Sequence, residues 1–286
     1  MTTVALGVVA YRDAATLAVL LRSARGFDQV LVVNMTSDPE VAAVCSACRS
    51  EEIPVKENLG YAAGVNLLAK AATADRLLFT NDDVVLSADL ADTCRAASSL
   101  VTVPRIVAHG APTRSLKALP TVPGLLLEWV LLPDTGPDVG LVQKWRRPRV
   151  TRKARAATAA AVLCDVAVLR RHPLPEEYFL YWEEMEWFWD LSRNGITVSY
   201  DPRLIVERAG GASELGEDKW RLMGANLVRL GARQRGRAGA IVYAALAVLW
   251  MLRLILTDAP RADRALRWRC RRAGLAGAFA QMKLSL

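Results

Sequence analysis

Short apolar runs alternate with helical patterns through the first hundred residues of the chain. Val4–Ala10 is an apolar run of strand length, and Asp13 can cap a helix that runs to about Arg25. The further predicted strands are Val30–Asn34, Ile53–Lys56, Arg76–Thr80 and Thr102–Val107, and the further predicted helices are Pro39–Cys48, Ala62–Ala72 and Ala88–Ser98. This alternation predicts an α/β domain with a mixed, mostly parallel sheet and helices on both faces.

Ligands of such sheets bind beyond the carboxyl ends of the strands, which makes the residues there the first candidates for a site. They are Ala10-Tyr11, Asn34–Ser37, Asn58 and Asn81–Asp83. From Gly110 to Ala156 the pattern breaks into sequence rich in Pro, Gly and basic residues, which predicts a long substrate-side loop or lobe. Regular structure is expected to resume at Ala159–Leu169.

The chain beyond Ser213 has a helical pattern that contains the uncharged run Ala238–Leu252. A membrane span needs about 20 apolar residues, and arginines flank this run on both sides. A helix lying in an anionic membrane interface fits the basic flanks best, while a buried core or oligomer helix and a true span stay open. We place a domain boundary here, with residues 1–215 as the α/β domain and 216–286 as a basic, helical, membrane-associating region.

Charge and cysteine content narrow the classes of partner. The net charge of +8 favours anionic partners, but no nucleic-acid-binding pattern is present, so no nucleic acid is expected. Five irregularly spaced cysteines argue against a disulfide scaffold. Cys45 and Cys48 have C-x-x-C spacing and are expected on a buried helix face rather than in a redox or metal pair. The N-terminal residues show no signal-peptide pattern, so a cytoplasmic location is expected.

Three motifs carry candidate chemistry. Asn81-Asp82-Asp83 follows a predicted strand, and its adjacent carboxylates fit either a helix cap or a divalent cation such as Mg²⁺ or Mn²⁺. Asn58–Asn66 contains Gly60, suited to a turn, and Gly64, which permits close helix packing. Tyr178–Trp187 places three acids among aromatic residues, where a partly desolvated carboxylate becomes more basic; solvated acids at a helix end are the alternative.

In this order and spacing the three motifs resemble family 2 glycosyltransferases of the GT-A fold, a Rossmann-like nucleotide-binding fold, and in particular the rhamnosyltransferase-like branch. The family pattern N-x-G-(F/Y)-x-x-G-x-N is matched by Asn58–Asn66, and its acidic turn by Asn81–Asp83. Its F-(F/L)-x-Y-x-E-D-x-D stretch is matched by Phe179–Glu186, with Glu184 and Glu186 in place of the two Asp. The resemblance extends from Val4 to about Ser213.

The resemblance implies a role for each matched residue. Glu184 would be the base that deprotonates the acceptor hydroxyl, and Asp83 would ligate a Mg²⁺ or Mn²⁺ ion on the diphosphate. The acceptor side would be formed by Trp182, Glu183 and Glu186. The donor would be bound by Val9, Ala10, Tyr11, Asn34, Asn58, Gly60, Tyr61, Asn66, Asn81, Asp82 and Arg208.

The sequence departs from the family at three of these positions. Arg208 stands where the family has a metal-ligating His, Asp190 stands where it has an Arg, and Glu184 is one methylene longer than the usual Asp. Arg does not ligate metals but pairs with phosphate. We therefore hypothesise that Arg208 takes over part of the diphosphate's neutralisation and weakens metal dependence.

The resemblance implies an inverting glycosyltransferase that uses a nucleoside-diphosphate sugar, with dTDP-rhamnose favoured by the branch. The acceptor would be a hydroxyl of a lipid-linked or cell-envelope glycan. The protein would lie peripherally on the inner face of the cell membrane, and its apolar tail would also permit a homo-oligomer. A catalytically inactive nucleotide-sugar-binding scaffold at the membrane is the alternative.

Overall fold

The computed structural model describes residues 2–11, 13–113, 115–126, 152–208, 216–257 and 264–285. The chain divides into two compact units. The first comprises Met1–Leu119, Val142–Phe179 and Glu183–Gly211, and the second comprises Pro120–Leu141, Leu180–Trp182 and Ala212–Leu286. Most of the basic part of the predicted substrate-side loop, including Lys144–Arg149, lies outside the described residues.

The described elements follow the predicted alternation. The strands β1–β12 are Val4–Ala10, Gln29–Asn34, Glu51–Pro54, Arg76–Asn81, Val84–Leu86, Val101–Ala108, Ala111–Pro112, Leu116–Lys117, Arg152–Ala154, Ala156–Ala157, Ala161–Asp165 and Val198–Arg208. The helices α1–α9 are Ala14–Ser23, Pro39–Cys48, Tyr61–Ala71, Leu90–Ala96, Val122–Leu126, Val166–Arg171, Glu183–Arg193, Gly216–Thr257 and Arg264–Ser285. The first unit contains the strands, and the second contains α5, α8 and α9.

The main sheet confirms the predicted mixed α/β architecture. Its order is β3-β2-β1-β4-β11-β6-β12-β5, with β7 beside β6 and β9 beside β12. The strands β3, β2, β1 and β4 are mutually parallel, and β11 then runs antiparallel between β4 and β6. Helices cover both faces. The carboxyl ends of β1, β2 and β4 therefore meet at one edge, where Ala10, Asn34 and Asn81 lie.

The close approach of α3 to β1 depends on two glycines. All seven residues of β1 are buried. A Cβ on Gly7 would lie 3.0 Å from a side-chain carbon of Leu68 on α3, and a Cβ on Gly64 would lie 2.9 Å from a Val9 side-chain carbon. The helix packs at a distance that larger residues would prevent, as was predicted for Gly64.

Two local predictions are corrected. The acidic turn does not cap a helix: Asp82 and Asp83 connect β4 to the short strand β5, and α4 begins only at Leu90, after the cap residue Asp89. The third strand is Glu51–Pro54 rather than Ile53–Lys56, because it pairs with β2 from Glu51 onward. The first residues of this strand are polar and partly exposed, so the hydrophobic pattern of the sequence does not show where the strand begins.

The prediction that Cys45 and Cys48 lie on a helix is confirmed. Cys45 and Cys48 lie on α2 as free thiols, with Cys45 buried and Cys48 half-buried. Burial raises the pKa of the Cys45 thiol, which disfavours the reactive thiolate.

In the second unit the long helix α8 is interrupted. Arg235 (φ −143°, ψ 19°) and Gly236 (φ 62°, ψ −151°) leave helical geometry. A Cβ on Gly239 would lie 1.9 Å from the Gly231 carbonyl oxygen, and the rings of Trp220 and Trp250 are 5.5 Å apart. Pairs 231–239 and 220–250 both span the break, so residues 216–234 and 237–257 form an antiparallel hairpin.

Helix α9 packs along the first arm of this hairpin. Arg269 pairs with Glu217 at 3.3 Å, and Arg229 donates to Gln281 at 3.1 Å. Contacts advance in the same direction along both segments, so α9 runs parallel to residues 216–234. By length and composition, Gly216–Leu254 is the one stretch of the described residues that could cross a membrane, and 44% of its most apolar window is buried.

Candidate functional site

The parallel pairing of β1 with β4 brings the acidic turn to the end of β1. Val9 is the register partner of Asn81, and the Tyr11 backbone N–H donates to Asp82 Oδ2 at 2.7 Å. Burial raises the pKa of the Asp82 carboxyl to about 6, although the Tyr11 hydrogen bond opposes the shift. The structure thus brings together Val9–Tyr11 and Asn81–Asp82, as the candidate donor site requires.

Asp83 pairs with Arg208, the residue that replaces the expected His. The antiparallel register of β5 with β12 sets Arg208 opposite Val84, next to Asp83. Asp83 Oδ2 accepts from Arg208 Nη2 at 2.5 Å and from Nε at 3.1 Å. The Asp83 side chain is 15% exposed and that of Arg208 is 35% exposed. The cation therefore lies on the carboxylate that was predicted to hold a metal.

Gly60 forms the turn that begins α3. Its φ is +87°, and its N–H donates to Asn58 Oδ1 at 3.0 Å. A Cβ at this position would lie 2.3 Å from the Phe179 carbonyl oxygen, which accepts from the Tyr61 N–H at 2.8 Å. Only glycine fits both the left-handed φ and the close approach. The turn therefore brings the Asn58–Asn66 motif into contact with the Tyr178–Trp187 motif.

Four carboxylates lie near enough to the Tyr61 hydroxyl to raise its pKa. The hydroxyl donates to the Ala159 carbonyl at 2.6 Å, and Tyr61 as a whole is half-buried. Burial raises the pKa of Tyr61 well above its ordinary value, and the negative charges contribute in the same direction. These charges are Glu183, Glu184, Asp83 and Asp82. The acidic turn and the start of α7 therefore both act on the pKa of this hydroxyl.

The predicted base is held by a lysine. Glu184 Oε1 accepts from Lys117 Nζ at 3.3 Å, and both side chains are mostly buried, with 13% and 17% exposed. Its neighbour Glu183 is buried, and its pKa is raised well above the ordinary value, first by burial and then by the charge of Glu184. Burial next to another carboxylate therefore favours the protonated form of Glu183.

Three carboxylate oxygens at this site lack hydrogen-bond partners. Among the described residues, Asp83 Oδ1, Glu183 Oε2 and Glu184 Oε2 are buried without one. Buried polar atoms are nearly always satisfied in folded proteins, and an unpaired one costs about 1–3 kcal/mol. Their concentration in three residues that all act on the pKa of Tyr61 is typical of a site that is completed by a ligand or by water.

Several predicted site residues have partners within the fold. Asn34 is buried and bonds the Asp38 backbone and Glu52, so its amide holds the start of α2. Asn66 is buried and bonds the backbone of Leu174 as well as Glu176. Contact with a donor by either side chain stays a prediction.

The remaining acceptor-side candidates are also enclosed. Glu186 is buried and accepts a hydrogen bond from the Tyr178 hydroxyl. Trp182 is 9% exposed, belongs to the second unit and has a φ of +73°. Asp190, which stands where the family has Arg, contacts His172 Nδ1 at 3.0 Å. Roles in acceptor binding for Glu186 and Trp182 likewise stay predictions.

Lys117 was missed by the sequence analysis. It lies in the Gly110–Ala156 stretch, where basic residues are frequent and none stands out. The two-residue strand that carries it pairs with Ala156-Ala157, and α7 packs against that pair. A single Lys in such a segment does not predict a site residue, because only the pairing of strands distant in sequence brings Lys117 to Glu184.

A metal site made of protein side chains does not fit these residues. Among the described residues no group of three or more His, Cys, Asp and Glu side chains could hold an ion. Asp83 offers a single free oxygen, since Arg208 occupies the other. Metal binding by Asp83 jointly with a diphosphate stays a prediction.

Comparison with known proteins supports the fold. No family model and no curated protein matches the sequence. A crystal structure of GalNAc-T7 with UDP, GalNAc and Mn²⁺ superposes with a TM-score of 0.59 at 11% identity, covering 99% of this chain. This chain spans 57% of the GalNAc-T7 chain.

A second similar structure is mannosyltransferase PcManGT from Pyrobaculum calidifontis in complex with GDP-Man and Mn²⁺. Its TM-score is 0.56 at 13% identity, with 98% of this chain and 86% of that chain covered. Both are glycosyltransferases of the GT-A fold. The fold of this chain is therefore the GT-A fold of glycosyltransferases.

Proposed function

We propose that this protein is an inverting glycosyltransferase that uses a nucleoside-diphosphate sugar. The observation that carries the proposal is the set of three buried, unpartnered carboxylate oxygens near Tyr61, at the carboxyl edge of a GT-A sheet. That edge is where open α/β sheets bind nucleotides. UDP and GDP-Man are bound by the two similar structures, which is consistent with this class of donor.

In the proposed reaction Glu184 takes the proton of the acceptor hydroxyl. The acceptor oxygen forms a bond to the anomeric carbon as the bond from that carbon to the diphosphate breaks, and the nucleoside diphosphate leaves. Lys117 fixes the Glu184 carboxylate through Oε1, while the buried, unpartnered Oε2 would take the proton. The attack and departure lie on opposite faces of the sugar, so the configuration inverts.

Negative charge builds on the departing diphosphate and needs a cation nearby. Arg208 supplies one beside Asp83, and a guanidinium fits phosphate oxygens as well as a carboxylate. We propose that Arg208 contacts the diphosphate and that donor binding does not require a metal. This differs from the two similar structures, which contain Mn²⁺.

The finer identity follows the motif resemblance. Membership of family 2 and its rhamnosyltransferase-like branch is proposed from Asn58–Asn66, Asn81–Asp83 and Phe179–Glu186. On that basis the donor is dTDP-rhamnose, and the acceptor is a hydroxyl of a lipid-linked or cell-envelope glycan. The apolar, basic tail supports a location on the cytoplasmic face of the cell membrane.

A thermal-shift screen of nucleotide sugars, with EDTA or with Mn²⁺, tests donor binding and metal dependence together. At about 100 times its Kd a donor adds about 2.7 kcal/mol, which corresponds to a rise in Tm of about 5 °C for a chain of this size. We expect dTDP-rhamnose to raise Tm in EDTA, and Arg208→Met to lose that rise. Arg105, which is half-buried like Arg208, offers a charge-matched control, Arg105→Met.

The outcomes of the screen separate the parts of the proposal. Stabilisation seen only with Mn²⁺ would contradict the role of Arg208 but not the donor class. If no nucleoside-diphosphate sugar raised Tm under either condition, the proposed function itself would be wrong.

An inactive nucleotide-sugar-binding scaffold is the second candidate. It is favoured by one observation: Asp83 and Glu184, the two residues assigned to catalysis, are both already paired with cations. A scaffold would bind the donor in the thermal-shift screen yet release no nucleoside diphosphate on prolonged incubation, whereas an enzyme hydrolyses its donor slowly without an acceptor.

A further inference from the structure

The second arm of the α8 hairpin exposes a stripe that is apolar throughout. Its exposed or half-exposed residues are Ile241, Val242, Ala245, Val248, Leu249 and Leu252. At 3.6 residues per turn these positions fall within about a third of the helix circumference. Ile241, Leu249 and Leu252 are 51%, 44% and 46% exposed, so the stripe is in contact with solvent along roughly three turns.

The opposite face of the same arm is packed inside the second unit. Tyr243, Ala247 and Trp250 are buried, and the Tyr243 hydroxyl donates to Gln234 Oε1 at 2.7 Å. The Trp250 ring lies against Trp220 on the first arm. The stripe is therefore a second apolar face, distinct from the one that holds the hairpin together.

Positive charge lies at both ends of the stripe. Arg233, Arg235 and Arg237 are exposed at or just before the start of the arm, and Arg253 is half-exposed at its far end. The described part of the arm between Arg237 and Arg253 contains no charged residue. An apolar strip with basic ends complements a bilayer whose headgroups are anionic, because the strip enters the acyl boundary while the guanidinium groups meet phosphate.

The first arm argues against a transmembrane hairpin. It packs along the apolar arm and carries Glu217, Asp218, Lys219, Arg221 and Arg229. Each charged residue at the centre of a bilayer costs several kcal/mol, so the two arms do not enter the hydrocarbon core together. A hairpin that lies flat and inserts only the stripe avoids this cost.

We propose that residues 237–253 form a monotopic membrane-binding surface, in which the Ile241–Leu252 stripe inserts into an anionic lipid leaflet. The partner is a phospholipid bilayer, and the arginines at the two ends pair with lipid phosphates. This specifies the membrane location proposed above. It does not depend on the sugar chemistry, because the surface lies within the second unit and needs no turnover to be measured.

Co-sedimentation of the full chain with vesicles tests the surface. We compare vesicles of phosphatidylcholine alone with vesicles that contain about 30% phosphatidylglycerol. We expect binding to the anionic vesicles, weaker binding to the neutral ones, and a reduction at 0.5 M NaCl, where charges are screened beyond about 4 Å. The variant Ile241→Asp/Leu249→Asp should bind at least ten-fold more weakly, since it places two charges on the inserted face.

Matched controls separate insertion from misfolding. Leu100→Asp changes a residue of similar exposure in the first unit and should bind like the unchanged protein. The milder Ile241→Ser/Leu249→Ser, checked by circular dichroism, should also weaken binding several-fold. Equal binding by the stripe variants and the unchanged protein would overturn the proposal. So would a protein that ignores vesicles but dissociates from dimer to monomer when the stripe is changed, because a second copy would then cover the stripe.

Discussion

At the scale of single residues, Glu183 makes the site depend on pH. It is buried beside Glu184, and its pKa is raised well above the ordinary value of a glutamate. The folded protein thus holds a proton on Glu183 over a range in which the unfolded chain has lost it. Folding stability from this group is fully present below the ordinary pKa and is lost as pH rises through the raised pKa.

Glu183→Gln removes this dependence, because glutamine stays neutral at every pH. Its free energy of unfolding relative to the unchanged protein should rise as pH increases above the ordinary pKa of a glutamate, by on the order of 1 kcal/mol per pH unit, until the raised pKa is reached. Urea unfolding at several pH values measures the difference. Glu57→Gln, at an exposed position, should show no such trend; a flat difference for Glu183→Gln would contradict the account.

The residues that sequence alone could identify share a physical property. The role of each can be predicted from neighbouring residues alone. Gly60 lies in a turn that needs a positive φ, and Asp82 and Asp83 are adjacent acids that follow a strand. Lys117 was missed because its pairing with Glu184 depends on a strand of two residues. Asn34 was predicted at the correct edge, but the sequence could not show that its amide is bound by Asp38 and Glu52.

At the scale of elements, the turn before α3 connects two motifs more than a hundred residues apart. Gly60 lies against the Phe179 backbone, just before the segment that leads into α7. Its contact distance leaves no room for a methyl group. The turn therefore sets where Tyr61 lies relative to Glu183 and Glu184.

Gly60→Ala should destabilise the protein by about 2–3 kcal/mol and weaken donor binding, because strain at φ +87° adds to a clash with Phe179. Gly195→Ala is the matched control: Gly195 has a φ of +73°, but a Cβ there meets nothing within 4 Å. Chemical denaturation of both variants isolates the contact from the backbone strain. Equal losses in the two would show that the approach of Phe179 is unimportant.

Elements with strong apolar patterns were predicted well, and short ones were not. The strand Val4–Ala10 and the helix Pro39–Cys48 agree with the structure. Strand β5 is only three residues long and follows two acids, so no apolar pattern indicates it. It forms because it pairs with β12. The interruption at Arg235 and Gly236 was also unforeseen, since a single glycine within a helical pattern does not by itself predict a chain reversal.

At the scale of the whole molecule, the alternation of strands and helices was enough to predict the α/β architecture. Strands and helices are recognisable from the spacing of their buried apolar residues, which is a local property of the sequence. The order in which β11 inserts between β4 and β6 is a property of tertiary packing that no local pattern contains. The order and spacing of the motifs predicted the GT-A fold, and the two similar structures have this fold at 11–13% sequence identity. The proposed chemistry is assigned to side chains at the carboxyl edge of that sheet.

Release of nucleoside diphosphate from dTDP-rhamnose and other sugar donors, by the full chain and by Glu184→Gln, tests the central claim most directly. General-base catalysis contributes about 10²–10⁴-fold, so Glu184→Gln should lose at least 100-fold of the release while keeping the thermal shift that reports donor binding. Glu57→Gln should keep its full rate. Near-native release by folded Glu184→Gln, or no release from any donor that binds, would contradict the account.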